Sequence, residues 1–304
     1  MTTATMRRQP RRAASVSPYP VVIERFDYRV VIHSKNKATV YDLREGDERI
    51  LPHPVGVSKL LGKGDLNPKT AKNEVATMGL SLYPADGAGV GNVCPLAIYC
   101  KEPCLAHQGQ GPVPSVAGAR VAKTVLFYLA RDWFLAKLNR ELAAFRAKYP
   151  PDTVVGVRLN MFSDLRWEAY GVIDAHPGIE FYDYSKLPDR AGQLRPNYWV
   201  TFSYDGHNWE AAERILQAGG NVSVVFYNDT DQPVCGKAAH RQTLPESWRG
   251  WRVIDGGKTD WRPEDPRGVL VGLRLLARTY ASRNKAIDDG FAVLADGCRM
   301  AAAA

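Results

Sequence analysis

Three cysteines, Cys94, Cys100 and Cys104, fall within eleven residues of one another in Asn92-Val-Cys-Pro-Leu-Ala-Ile-Tyr-Cys-Lys-Glu-Pro-Cys-Leu105. Their C-x5-C-x3-C spacing offers three soft thiolate ligands on one segment, one short of a closed tetrahedral site. In a [4Fe–4S] cluster the missing ligand would leave one iron open to a substrate or to the amino-acid end of S-adenosylmethionine. His107 supplies the rival reading, because C-x5-C-x3-C-x2-H is a full Cys3His set for structural zinc. The remaining cysteines, Cys235 and Cys298, follow turn signals and read as ordinary free thiols. An odd number of thiols, three of them clustered, does not suit a secreted disulfide scaffold and points to a reducing, cytoplasmic setting.

The elements that must position this cluster can be read from periodicity. Val75 to Leu82 is a candidate strand, followed by a loop rich in Gly and Pro from Tyr83 to Ser115 that carries the cysteines; loops of that length in compact domains are usually functional. Leu135, Leu138, Leu142, Phe145 and Tyr149 then recur at helical spacing, and Pro150-Pro151 ends the helix. Short β-rich runs follow at Val154 to Leu159, Glu180 to Tyr184, Tyr198 to Phe202, Val222 to Tyr227, Arg252 to Ile254 and Val269 to Leu273. Trp209 to Gly219 has the pattern of a crossover helix with a glycine stop. Strands alternating with helices predict an α/β fold, a complete or partial TIM-like (β/α) barrel over residues 75–300. A doubly wound open sheet is the rival.

Before that domain, Tyr28 to His33 and Ala38 to Leu43 read as a hairpin, and the Pro- and Gly-rich stretch from Leu51 to Lys72 as a connector, together making residues 21–74 a small β element with its linker. Residues 1–20 carry Arg7, Arg8, Arg11 and Arg12 with no acid, the composition of a flexible basic tail rather than a signal peptide. That tail accounts for half of the net charge of +8, so the body is only mildly basic. Weak contact with nucleic acid is compatible with this balance. No apolar run reaches the roughly 18 residues of a membrane span.

Polar residues cluster after the expected strands: Asn160, Ser163 and Asp164; Asp183, Tyr184 and Lys186; Thr201, Ser203, Asp205 and Asn208; then Asp255, Lys258, Asp260 and Arg262. In a parallel barrel the carboxyl ends of the strands share one face, and that face holds the active site. Asn160, Asp183, Lys186 and Ser203 are accordingly the expected catalytic set. Arg158, Ser163, Asp164, Tyr182 and Asp255 are the expected cofactor-binding set. His176 and His240 are solitary, and His207 is a weak acid/base candidate in a turn. Trp167, Trp199, Trp209 and Trp261 sit beside apolar runs, as core residues do.

Several segments together resemble the phage gene product 88 family: Leu80-Ser-Leu-Tyr-Pro-Ala-Asp86, Val157-Arg-Leu-Asn160 with Ser163-Asp164, Phe181-Tyr-Asp-Tyr-Ser-Lys186, Thr201-Phe-Ser203, and Val253-Ile-Asp-Gly256 with Asp265-Pro266. The likeness runs from Met78 to Gly272 and implies a phage or prophage origin with a location in the host cytoplasm. The cysteine loop also resembles, by position alone, the cluster loop of radical S-adenosylmethionine enzymes, which follows the first barrel strand; their C-x3-C-x2-C spacing is absent. Two expectations result. One is an iron–sulfur enzyme of this kind, acting on a nucleotide or nucleic acid. The other is a nucleic-acid-binding protein with a Cys3His zinc brace, in which Arg120, Lys123 and Arg131 on the long helix meet phosphates.

Overall fold

The computed structural model describes residues 17–63, 75–228, 243–277 and 279–295. Four strands, β1 (Val21–Arg25), β2 (Tyr28–Ser34), β3 (Lys37–Asp42) and β4 (Val55–Val57), form an antiparallel sheet in chain order. In β2, Tyr28, Val30 and Ile32 alternate inward, the period-2 pattern of a sheet with one wet face. Their side chains join the core beneath a helix, α1 (Pro114–Leu129). Asp42 closes the element by accepting the N–H groups of Ile50 (2.7 Å) and Leu51 (3.0 Å) and the Arg44 guanidinium. The stretch expected as a featureless connector instead supplies β4 and a further strand, β5 (Leu61–Lys63).

The second sheet has eleven strands. Its central run is parallel and ordered β6 (Ala76–Leu80), β7 (Val155–Arg158), β8 (Glu180–Ser185), β10 (Tyr198–Ser203), β11 (Val222–Tyr227), β14 (Leu270–Arg274) and β13 (Trp251–Asp255). Antiparallel β5 borders β6, and antiparallel β12 (Ser247–Trp248) borders β13. Two short strands double up along the run, β9 (Gly192–Arg195) on β10 and β15 (Ala292–Leu294) on β11.

This is not a TIM-like barrel, complete or partial, and the α/β expectation is corrected to a mixed, sheet-rich fold. Among the described residues no ladder joins β5 to β12, so the sheet stays open, and only four helices accompany it. The physical reason lies in the connections. A barrel needs a helix after each strand to build its outer ring, yet β7 reaches β8 through a single 3-10 turn at Trp167–Tyr170, and β8 reaches β10 through β9. Helices occur between β6 and β7, where α1 is followed by α2 (Arg131–Arg146); between β10 and β11, as α3 (Trp209–Gln217); and before β15, as α4 (Tyr280–Asp288).

Parallel register fixes which residues share a face. Val155, Val157, Phe181, Tyr198 and Val200 share one core with Val121, Val125, Phe134 and Leu138 of the α1–α2 layer. On the other face, the pairing of Thr77 with Gly156, of Tyr182 with Trp199 and of Tyr184 with Thr201 lines up a row of polar and aromatic side chains. The segment after β13 covers this inner face. Trp261 lies so close to β7 that a Cβ on Gly156 would collide with its ring. Among the described residues no helix is long and apolar enough to cross a membrane.

Candidate active site at the carboxyl edge of the parallel sheet

The loop between β6 and α1 leaves the carboxyl end of the first parallel strand, so the cysteines are delivered to the edge where ligands of open parallel sheets bind. Val93 N–H donates to the Ala85 carbonyl within the loop (3.0 Å), and Asp164 N–H donates to the Val93 carbonyl (2.7 Å), tying the loop to the segment after β7. Asn92 Oδ1 accepts the Cys94 N–H (2.8 Å), and the Asn92 carbonyl accepts the Tyr128 hydroxyl (2.8 Å). At the far side Tyr99 stacks on His207, ring centroids 3.9 Å apart, which joins the loop to the turn after β10. Arg120 donates to the Ala106 carbonyl (3.2 Å) and lies 4.3 Å over the Phe162 ring.

The three cysteines are half-buried and reduced. Cys94 donates its S–H to the Phe162 carbonyl (3.3 Å), and burial pushes its thiol up to about 12, helped by the negative charges of Cys104, Cys100 and Asp164. Burial raises Cys104 as well, with Lys186 and Arg120 pulling the other way. Lys186 is carried just beyond β8, on the side of Cys100. Burial works to lower the lysine, but the charges of Cys100, Asp164 and Asp205 outweigh it and hold Lys186 above its usual range.

This arrangement corrects the reading of the loop as a metal-binding group. Among the described residues no three His, Cys, Asp or Glu side chains stand where they could hold one metal ion. Cys94 donates its S–H to the Phe162 carbonyl, and the His107 ring is set edge-on to Tyr83. No such metal-binding group stands at the loop where the [4Fe–4S] cluster and the Cys3His zinc site were expected. Cys235, Cys298 and His240 lie outside the described residues.

The expected catalytic and cofactor-binding residues separate into three groups. Asp183 faces the helical side and accepts the Asn160 N–H (2.7 Å), the Asn160 side-chain amide (3.3 Å) and the Tyr198 hydroxyl (2.9 Å). Asn160 Oδ1 in turn accepts from Ser163, Leu165 N–H and Trp167. Asp164 accepts from Ser185 (2.7 Å), Lys186 N–H (2.9 Å) and Arg190 (2.8 Å). Asn160, Ser163, Asp164 and Asp183 thus spend their bonds inside a brace that fixes the ends of β7 and β8. Arg190 is at its centre, fully buried, and donates also to Glu168 and Tyr198. Nothing in the sequence singled Arg190 out.

The second group, Arg158 and Tyr182, lies on the inner face, where Arg158 pairs with Asp260 (3.1 Å) and stacks on Tyr184. Lys186 and Ser203 form the third, at the carboxyl edge proper, with the Ser203 hydroxyl accepting from that of Ser223 (3.4 Å). Asp255 stands apart, paired with Arg274 (2.6 Å). Arg120, Lys123 and Arg131 do not form an outward basic row. Arg120 and Lys123 belong to α1 and Arg131 opens α2; Arg131 lies over Phe127 and Tyr170, and burial lowers Lys123 to about 8.

A family model described as gene product 88 matches residues 58–293, most of the chain. The chain belongs to the phage gene product 88 family. The match takes in the whole eleven-strand sheet except the end of β15, together with the cysteine loop and the brace, and leaves out β1 to β4. No curated protein and no solved structure matches the chain. Within the family region a groove of about 780 Å³ opens between β9, the end of α3 and Arg267. It lies at the amino ends of β10 and β11, opposite the edge that carries the cysteines, so the thiol chemistry cannot be placed in it.

The brace makes stability depend on pH. Burial pushes the Asp183 carboxyl up to about 7, against the pull of Arg158, the Asn160 N–H, Arg190 and Tyr198. An acid whose pKa is raised by folding holds its proton more tightly in the folded state, so stability falls as pH rises from the unfolded value, roughly 4, to the folded one. Urea midpoints of the wild type should lose more stability between about pH 4 and pH 7 than those of Asp183→Asn. Equal slopes in the two proteins would refute the assignment.

Proposed function

We propose that this family member is an enzyme that works at the carboxyl edge of its parallel sheet, with Cys100 as nucleophile and Lys186 as the neighbouring cation. The observation that carries this reading is the placement of the Lys186 ammonium beside Cys100, between the end of β8 and the loop delivered by β6. A thiolate is the reactive form of cysteine, and a neighbouring ammonium favours it. Attack on an electrophilic carbon would form a carbon–sulfur bond, and Lys186 stands where it can give a proton to the departing group. Ser203 at the end of β10 and Asp205 just after it border the same edge. No step is routed through iron or zinc. A phage enzyme of this type would act in the host cytoplasm, where reducing conditions keep the thiols free.

Site-resolved alkylation tests the assignment without a known substrate. Native protein exposed briefly to iodoacetamide at neutral pH should carry the label first on Cys100 and last on Cys94, whose proton is held. Cys94 or Cys104 reacting ahead of Cys100 would sink the proposal.

A further inference from the structure

Three outward cations stand together where the β2–β3 turn meets α2. Lys35 and Lys37 are exposed at that turn, and Arg140 reaches it from α2. Arg140 donates to the Lys35 carbonyl and to Asn36 Oδ1 (3.4 Å), and the Trp133 indole donates to the Ser34 carbonyl (2.9 Å). Neutral acceptors thus dock the turn on the helix. Among the described residues no carboxylate pairs with Lys35, Lys37 or Arg140, so all three keep an uncompensated charge.

The start of the chain adds to this group. β1 runs antiparallel to β2 with Val21 opposite Ile32, so the residues just before β1 leave the sheet beside the Ser34–Lys37 turn. Residues 1–16 carry Arg7, Arg8, Arg11 and Arg12, and no Asp or Glu occurs before Glu24. The acids of the small sheet gather at its other end. Asp27 lies between β1 and β2, Asp42 stands opposite Tyr28, and Arg29 and Arg44 pair there with Glu24 and Asp42. Charge is therefore segregated along the sheet. Like charges held close repel one another, and a polyanion relieves that repulsion while shedding its condensed counterions.

We propose that this basic end of the N-terminal sheet, together with the arginine segment before it, binds the phosphodiester backbone of a nucleic acid. Guanidinium groups match phosphate oxygens, and residues 1–16 contain none of the aromatic anchors of a membrane-surface helix. Contacts of this kind position a backbone and read no sequence. Lys35, Lys37 and the arginine segment precede the matched family region, so this binding goes beyond the thiol chemistry proposed for Cys100.

Fluorescence anisotropy of a labelled DNA duplex of arbitrary sequence, titrated with the full chain over a salt series, tests the surface. Binding is expected at about 50 mM salt and should weaken about a thousandfold by about 200 mM, as for six or seven phosphate contacts. Replacing Arg7, Arg8, Arg11 and Arg12 together by Gln should flatten the slope of log affinity against log salt by about 3.6, and Lys35→Gln with Lys37→Gln by about 1.8. Arg214→Gln with Lys285→Gln removes two exposed charges elsewhere and should leave binding as in wild type, as should Cys100→Ser. No binding at about 50 mM salt would overturn the proposal. So would an unchanged slope in the Lys35 and Lys37 double variant, equal weakening in the Arg214 and Lys285 control, or binding to phosphatidylglycerol vesicles without binding to DNA.

Discussion

Replacing Arg190 by Met should cost about 3 to 5 kcal/mol of folding stability, the largest loss expected from any single side chain in the brace. Arg190 has no exposed surface, and its guanidinium reaches Asp164 (2.8 Å), Glu168 (2.9 Å) and the Tyr198 hydroxyl (2.7 Å). Burial works to lower its pKa, but Tyr198, Glu168, Asp164 and Asp183 together hold it above the ordinary arginine value, so it stays charged. Met fills similar space without charge and strands two carboxylates that are only 10 to 11% exposed. The penalty is the cost of uncompensated buried charge, beyond that of the lost bonds. The nearby pair of Arg166 and Asp189 gives the internal comparison. Its side chains are 44% and 62% exposed, and Arg166→Met should cost no more than about 1 kcal/mol. Urea denaturation of both variants checks the contrast, and equal losses would show that Arg190 does not organise the brace.

Replacing Lys186 by Met should slow alkylation of Cys100 about tenfold at neutral pH and leave Cys94 unchanged, since the Lys186 ammonium lies on the side of Cys100. Lys186→Arg should recover part of the rate, because a guanidinium keeps the charge with different geometry. The main chain of Lys186 donates to Asp164, a bond any residue there can make, so folding should survive either change. Mass spectrometry of timed quenches reads each cysteine separately. A uniform change at all three would indicate a loosened loop rather than a lost ion pair.

The strands were legible because their signal is local. Val222 to Tyr227 is strand over the same residues in the structure, and the runs at 180, 198, 252 and 269 differ by one or two positions. The hairpin and α3 were equally plain. Barrel closure was not, because it depends on how each connection packs, and a polar stretch such as Arg166 to Gly178 reads alike whether it forms a helix or a 3-10 turn. The long helix divides at Ala130, whose φ of −132° and ψ of 49° break the α1–α2 run where the sequence shows no Gly or Pro.

For the site, the sequence led to the carboxyl edge through polar residues after each strand. It could not divide them, because alternation along β8 sends Asp183 to the helical side and Tyr182 to the inner face. Nor does spacing tell whether three thiols converge on one ion. Cys94 turns to the Phe162 carbonyl, a partner 68 residues away in the chain.

Thiol, metal and sulfide content of native protein purified without oxygen tests the central claim most directly. An accessible, rapidly titrating Cys100 thiol and no acid-labile sulfide are expected. About four irons and four sulfides per chain, with Cys94, Cys100 and Cys104 all protected until the cluster is removed, would contradict it.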